Sequence, residues 1–82
     1  MATGSLTDTV ARNIAAERAR RRWKQSELAE KLGVASSTIG SYETGTRRIG
    51  LDDLPAICQV FGITLAKLLD GADPDDLRLL GL

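Results

Sequence analysis

The residues in this sequence that could carry out chemistry are few, and their spacing does not form a catalytic or metal centre. The chain has no histidine, so the usual general base and the commonest imidazole metal ligand are missing. Its only cysteine, Cys58, lies in an apolar run typical of a core residue, and a single cysteine excludes an internal disulfide and a zinc cage. The pairs Asp52–Asp53 and Asp75–Asp76 are better explained as acids at helix starts. We expect no catalytic residue, no metal and no cofactor, and therefore no enzyme.

A run of hydroxyl side chains over residues 36–44 is the second group that could take part in binding or chemistry. Its large apolar residues are Ile39 and Tyr42, three positions apart, which predicts a narrow inner stripe on a helix. The other side chains are mainly serine and threonine, which are middling helix formers, and Gly40 costs about 1 kcal/mol relative to alanine. Such a helix must be stabilised by the segments on either side of it. We therefore interpret its outer face as serving a purpose other than stability.

The charges are divided unevenly along the chain. Lys and Arg number 11, as do Asp and Glu, so the net charge is zero. Residues 1–50 contain nine Lys or Arg and five Asp or Glu, a balance of +4, whereas residues 51–82 contain two and six, a balance of −4. A dipolar chain can present a basic face to phosphate while its other face stays acidic. The run Arg20–Arg22 leaves two interpretations open, a solvated surface or a phosphate contact.

Helices are predicted to position all of these residues. At 82 residues the chain makes one domain with a thin core, and its composition favours helix over sheet. Apolar periodicity and the caps predict a first helix from Ser5 or Thr7 to Arg22. The later predicted helices span 25–32, 36–44, about 52–61 and 65–69, and a short sixth helix is favoured from Pro74. The inner side of the first helix is predicted to carry Val10, Ile14, Ala15 and Arg18.

The stretch from Gln25 to Thr44 has the pattern of two helices joined by a tight turn. Gly33 follows the last apolar residue of the first of these helices, where a left-handed conformation favours glycine. Ala29 is the small residue expected where the two helices touch, and Val34 is predicted to return to the core at once. The remaining apolar positions are filled by Leu28, Leu32, Ile39 and Tyr42. All of these in register indicate a helix-turn-helix.

The segment from about Val10 to Leu69, about three quarters of the chain, resembles the phage-repressor helix-turn-helix family. This is the Cro/CI-type, xenobiotic-response-element or lambda-repressor-like group. The matching residues are Arg18, Gln25-Ser26-Glu27-Leu28-Ala29, Gly33-Val34, Ile39, Tyr42-Glu43-Thr44-Gly45, Leu54, Ile57, Phe61-Gly62-Ile63-Thr64-Leu65 and Leu68-Leu69. The resemblance implies a compact five-helix bundle that binds double-stranded operator DNA as a homodimer, with the third helix in the major groove. It implies a sequence-specific transcriptional regulator, with repression as the expected effect.

The resemblance also implies roles for individual side chains. Ser36, Ser37 and Ser41 take the exposed positions that read base edges. Arg18 and Glu43 resemble a structural pair that joins the first helix to the third. The residues implied to contact phosphate or the DNA backbone are Lys24, Gln25, Thr38, Arg47 and Arg48.

The third helix departs from well-known members of the family, because hydroxyls and a glycine replace Gln, Asn or Arg on its outer face. Serine pairs with several base edges, so each contact discriminates weakly, and DNA shape and ordered water are expected to contribute more. We expect a specific-over-nonspecific preference at the low end of the usual ~10³–10⁷ range. Gly40 is interpreted as letting the backbone approach the groove floor. Because Ala35 lacks a capping group, Ser36 is expected to take over the cap, and Thr38 to contact the backbone or a thymine methyl.

The ends of the chain leave alternatives open. We divide the sequence into a flexible leader (1–5), the helix-turn-helix domain (6–71) and an acidic, leucine-rich tail (72–82). The acidic half and the tail leucines favour either a contact with a protein partner or closure of the core. A protein-interaction module of antitoxin or anti-repressor type is thus the alternative function, and the chain also fits the N-terminal piece of a longer repressor.

No membrane association is expected from the sequence. Its apolar runs stay well short of the ~20 residues that cross a bilayer. The start of the chain lacks the pattern of a signal peptide. We therefore expect a cytoplasmic location.

Overall fold

Six α-helices make up the part of the chain that the computed structural model describes, residues 5–82, and this part contains no strand. They are α1 (Leu6–Arg20), α2 (Gln25–Leu32), α3 (Ser36–Thr44), α4 (Asp53–Phe61), α5 (Leu65–Leu68) and α6 (Pro74–Leu79). The all-α prediction is confirmed, and the short sixth helix is present. Most of the predicted leader, residues 1–4, lies outside the described residues.

α1 is the longest helix, with 15 residues. The Ser5 hydroxyl caps it by accepting the backbone N–H of Asp8 at 3.1 Å. Of its predicted inner face, Val10 and Ile14 are buried, whereas Ala15 and Arg18 are only half-buried. The reason is helical spacing, because positions 10, 14 and 17 share one face more closely than 10, 15 and 18 do. The buried residues of α1 are Thr9, Val10, Ala11, Ile14 and Glu17.

The end of α1 comes two residues earlier than predicted. The chain leaves the helix through Arg22, whose φ of 59° is left-handed. The N–H of Arg22 donates to the carbonyl of Ala19 at 3.0 Å, and the N–H of Trp23 to that of Arg18 at 3.2 Å. This pair of bonds is a Schellman closure, which normally places glycine at the left-handed residue. The sequence carries no glycine here, so the usual stop signal was missing.

The turn between α2 and α3 is built on Gly33, as predicted. Its φ is 72°, and the N–H of Val34 donates to the carbonyl of Ala29 at 3.0 Å. Leu28 and Ala29 are buried on the inner face of α2. The prediction that Val34 re-enters the core is wrong, because this residue is 37% exposed. The tight turn leaves this residue at the edge of the core.

The second half of the chain follows its capping signals. Thr64 caps α5 by accepting the N–H of Lys67 at 3.1 Å, and Asp73 caps α6 by accepting the N–H of Asp75 at 2.8 Å. α4 begins one residue later, and α5 ends one residue earlier, than predicted. Of the tail leucines, Leu77 packs against the core, so the tail closes it only in part. The remaining tail leucines are exposed: Leu79, Leu80 and Leu82.

The core draws one large, fully buried side chain from each of the first five helices. These are Ile14, Leu28, Ile39, Ile57 and Leu68. Because Ile39 and Tyr42 both point inward from α3, the serines of this helix lie on its outer side. Across residues 5–82, no helix is long and apolar enough to cross a membrane.

Candidate nucleic-acid interface

The outer face of α3 presents three serines. Ser36 and Ser37 are exposed in its first turn, and Ser41, one turn after Ser37, is half-buried. Within residues 5–82, none of their hydroxyls forms a hydrogen bond. The N-cap of α3 is Ala35, which forms no side-chain capping bond, so the prediction that Ser36 takes over the cap is wrong. Ser36 already belongs to the helix, and a capping side chain must come from the residue before it. All three hydroxyls are therefore available to a ligand.

Gly40 and Thr38 occupy the sides of α3 rather than its outermost surface. A Cβ added to Gly40 would lie 3.6 Å from Oε1 of Gln25. The position of Gly40 thus faces the Gln25 side chain at the start of α2, and the expectation that it lets the backbone approach a groove floor stays a prediction. Thr38 is half-buried, and its backbone N–H donates to the carbonyl of Ala35 at 3.0 Å. Its side chain is less accessible than those of Ser36 and Ser37.

Glu43 joins α1, α2 and α3 through its carboxylate. Arg18 donates to it from Nε at 2.7 Å and from Nη2 at 3.0 Å, and this hydrogen bonding raises the pKa of Arg18. The Gln25 amide Nε2 donates to Glu43 Oε1 at 3.1 Å. The Glu43 side chain is 8% exposed and that of Arg18 21%, so water competes little for these bonds. The structure thus brings Arg18 and Glu43 together and also fixes the Gln25 side chain.

The start of α2 combines a cation with unpaired backbone donors. Lys24 is exposed at the N-cap position, and its backbone N–H donates to Glu27 Oε1 at 2.9 Å. The backbone N–H groups of Gln25 and Ser26 find no acceptor among residues 5–82, as expected for the first turn of a helix. The Lys24 ammonium is likewise unpaired in that part of the chain. Helix starts with such donors favour anions.

The loop after α3 carries two exposed arginines, Arg47 and Arg48. The N–H of Arg47 donates to the carbonyl of Ser41 at 3.2 Å, which ties the loop to α3. Neither guanidinium forms an ion pair with another described residue. Tyr42 Oη donates to Asp53 at 3.1 Å and so attaches α3 to α4, while burial and this bond raise the pKa of Tyr42. The two arginines therefore extend from a well-anchored loop, and no acidic side chain among the described residues compensates their charges.

Glu17 binds two of the three arginines in the run at the end of α1, and the sequence alone did not single this residue out. Arg20 donates to the Glu17 carboxylate at 2.9 Å and Arg21 at 2.7 Å. The bond from Arg21 is the main reason that the pKa of Glu17 is lowered. Arg21 also donates to the carbonyl of Phe61 at 2.6 Å and lies 4.9 Å from the centre of that ring. Arg20 and Arg21 are therefore held by the fold, and the spacing of Glu17 from them along a helix was the available signal.

An apolar cavity of about 220 Å³ lies away from these residues. Its lining comes from α1, the loop after α3, α4, α5 and the tail: Leu6, Thr7, Val10, Ile49, Leu51, Leu54, Leu65, Leu69 and Leu80. Cys58 is half-buried, and burial raises the pKa of its thiol. Among residues 5–82, no three His, Cys, Asp or Glu side chains cluster as a metal site.

Comparison with known proteins finds helix-turn-helix regulators. The chain is 36% identical over 52 residues to the HTH-type transcriptional regulator AnsR of Bacillus subtilis, covering 63% of this chain and 45% of AnsR. It is 30% identical over 53 residues to the uncharacterized HTH-type transcriptional regulator YobD of the same organism, covering 65% of this chain and 47% of YobD. The chain thus spans about half the length of the curated relatives it matches.

Similarity to solved structures supports the same fold. The clp gene regulator ClgR of Corynebacterium glutamicum superimposes with a TM-score of 0.78 over 98% of this chain and 84% of its own, at 21% identity. A family model described as helix-turn-helix matches residues 14–68, about two thirds of the chain. This range includes α2, the Gly33 turn and α3. The chain therefore belongs to the helix-turn-helix family, in its Cro/CI-type group.

Proposed function

We propose that this chain is a sequence-specific, double-stranded DNA-binding domain of a transcriptional regulator, with α3 in the major groove. The observation that carries the proposal is the outer face of α3, whose serine hydroxyls are unengaged and whose neighbouring cations are unpaired. The family and the names of the curated relatives, both transcriptional regulators, support it. A non-enzymatic role in the cytoplasm, acting as a repressor, is part of the same proposal.

In this proposal the described side chains divide into two groups. Ser36, Ser37 and Ser41 contact base edges, because they are exposed or half-exposed on one side of α3. The second group contacts the DNA backbone and fixes the orientation of the domain: Lys24, Gln25, Thr38, Arg47 and Arg48. Arg18 and Glu43 touch no DNA and instead hold α2 and α3 in the geometry that docking requires.

A homodimer is the second element of the proposal. Leu51 is 83% exposed and lines the 220 Å³ apolar cavity, so a protruding apolar side chain and a recess lie on one surface. Such a surface suits an isologous contact, in which each copy offers the same side chain and the same recess. The described lining includes no residue of α2 or α3, which leaves the candidate DNA-binding face uncovered by this contact.

Selection of bound duplexes from a random pool tests the proposal most directly. We expect enrichment of a common motif, repeated as two half-sites about one helical turn apart if the dimer binds. Recovery of an unenriched pool at low salt would contradict sequence-specific recognition.

Substitutions in the two groups of residues should have different effects. Arg47→Ala or Arg48→Ala should weaken binding to all duplexes, because each removes a phosphate contact. Each should also make the slope of log affinity against log salt concentration shallower by about one unit. Ser37→Ala or Ser41→Ala should change the preferred base at one position, by at most about 1–3 kcal/mol. Affinity titrations against the selected duplex and its single-base variants measure both. The same response from both sets of variants would contradict the division of roles.

A protein-interaction module is the alternative, and the exposed leucines favour it. Leu79, Leu80 and Leu82 are exposed beside an acidic stretch of chain, which suits a partner with apolar and basic side chains. With duplex DNA, a module of this kind would not show the steep loss of affinity between about 50 and 200 mM salt that several phosphate contacts produce.

A further inference from the structure

Arg22 occupies a backbone position that normally belongs to glycine. It is the only non-glycine residue with a positive φ in the described part of the chain, at 59°. A β-carbon is disfavoured in this left-handed conformation. The Schellman closure formed by Ala19, Arg22 and Trp23 needs only backbone atoms, so the turn gives no reason for an arginine at this position.

The charge of Arg22 is also not used by the fold. Its neighbours are compensated, because Arg18 pairs with Glu43, and Arg20 and Arg21 pair with Glu17. Arg22 is exposed, and its side chain forms no ion pair or hydrogen bond with any residue from 5 to 82. A strained backbone and an uncompensated cation at one residue indicate that this guanidinium serves an external ligand.

The connection that contains Arg22 is held firmly beside the start of α2. Nη1 of Arg18 donates to the carbonyl of Trp23 at 2.8 Å. The Trp23 ring stacks on Phe61, with 5.9 Å between the ring centres. These contacts fix the backbone at Trp23, between Arg22 and Lys24. Arg22 and Lys24 therefore lie two positions apart in one short connection that leads directly into α2, and both are exposed and without an ion pair among residues 5–82.

We propose that Arg22 is a further phosphate-contacting residue, which binds the DNA backbone together with Lys24. The inference rests on the proposed function, because it extends the contact already assigned to Lys24 and Gln25. A guanidinium donates two parallel hydrogen bonds to one phosphate, whereas an ammonium acts as a point charge. Arg22 thus adds orientation as well as charge to this end of the interface.

Substitution by glycine separates the binding role of Arg22 from any role in stability. Arg22→Gly removes the cation and relieves the left-handed backbone, so we expect an unchanged or higher melting temperature. Its affinity for a labelled duplex of mixed sequence should fall about fivefold to tenfold at low salt. The slope of the logarithm of affinity against the logarithm of salt concentration should become shallower by about one unit. Arg22→Asn tolerates the same φ without charge and should follow Arg22→Gly. Arg22→Lys keeps the charge and should retain the salt dependence.

Arg20→Ala is the matched control, because it removes a neighbouring arginine that Glu17 already holds. Fluorescence anisotropy between about 50 and 200 mM salt should give Arg20→Ala the affinity of the unaltered protein. Equal losses for Arg20→Ala and Arg22→Gly would overturn the inference, because they would indicate an effect of net charge alone. Binding of Arg22→Gly and Arg22→Asn with the unaltered salt dependence would also overturn it while leaving the proposed function in place. If the unaltered protein binds no duplex, the proposed function and the inference both fail.

Discussion

Two buried carboxylates decide which cations of the basic half remain available to a ligand. Glu17 and Glu43 are held in place by three arginines, and their side chains are almost fully buried. A buried carboxylate without partners is strongly destabilising, so the fold must supply donors to each. Arg18, Arg20 and Arg21 are used in this way. In the proposed complex with DNA, phosphate is bound by cations that have no acidic partner among residues 5–82.

The pairing of Glu17 predicts a specific pH dependence of stability. Its pKa is lowered from an ordinary value of 4.5, so the carboxylate favours the folded state above pH 4.5 and loses this effect as the pH falls through its lower folded-state pKa. Glu17→Gln should therefore reduce the free energy of unfolding by about 1–3 kcal/mol at neutral pH, and by less in acid. Urea unfolding at pH 7 and at acidic pH measures the difference. Glu30→Gln, at an exposed position of α2, should have no such effect, and a Glu17→Gln deficit that stays constant with pH would contradict the assignment.

Gly40 offers a second prediction for a single residue. Gly40→Ala should stabilise the protein by about 1 kcal/mol, because alanine is the better helix former. The added Cβ would meet Gln25 Oε1 at 3.6 Å, an ordinary contact distance. Gly45→Ala is the control: the same change at a φ of 78° should destabilise the protein. Thermal unfolding of both variants tests the pair, and a lower melting temperature for Gly40→Ala would mean that the gap beside Gln25 is required.

Among the elements, α3 depends strongly on its surroundings. It is rich in serine and threonine, contains Gly40, and starts at Ala35 without a capping side chain. Its stability therefore comes from Ile39 and Tyr42 in the core, and from the bonds of Tyr42 to Asp53 and of Glu43 to α1. Because the core and these bonds hold α3, its outer face does not need strong helix formers. It carries serines instead, whose hydroxyls are available to a ligand.

A capping substitution should strengthen α3 without changing its packing. The backbone of Ala35 already has the extended conformation of an N-cap, with φ −74° and ψ 150°. Ala35→Ser should therefore raise the free energy of unfolding by about 0.5–2 kcal/mol, measured by urea unfolding. Ala35→Asp should stabilise the helix similarly but weaken binding to DNA, because its charge lies next to Ser36 and repels phosphate. If Ala35→Asp binds duplex as tightly as Ala35→Ser, the start of α3 does not face DNA.

The helices could be predicted from the sequence wherever a local signal marks their ends. Gly33, Gly45 and Gly62 take the left-handed conformation after α2, α3 and α4, and the Thr64 side chain caps α5. The end of α1 was misplaced because an arginine takes the glycine position. Burial at a turn was also unpredictable, as Val34 shows, because an apolar side chain alone does not indicate which side of the turn it faces.

The candidate site was less predictable, because its charges depend on contacts between helices. The bridge from Arg18 to Glu43 was expected only from the family resemblance, although the structure now contains it. The contact of Arg21 with the end of α4 joins residues 40 positions apart, for which the sequence has no local signal. Only the fold could therefore separate Arg22 from the compensated arginines around it.

On the scale of the whole molecule, two surfaces are built from different parts of the chain. The candidate DNA-binding face uses α2, α3 and the loop after α3, within the half that carries the +4 balance. The apolar cavity is lined mainly by residues of α1, α4, α5 and the tail. Since the two surfaces share few elements, the proposed contact with DNA and the proposed contact with a second copy are compatible in one domain.

The two most exposed large leucines allow a matched test of dimerisation through the cavity. Leu51 and Leu79 are 83% and 85% exposed, so neither is needed for the core, but only Leu51 lines the cavity. Leu51→Glu should weaken self-association at least tenfold, because burying a leucine in a contact contributes about 1.5–3 kcal/mol and a buried carboxylate opposes it. Leu79→Glu, with the same change of charge, should leave self-association unaltered. Sedimentation equilibrium over a range of protein concentrations measures both, and equal behaviour of the two variants would place the dimer contact elsewhere on the molecule.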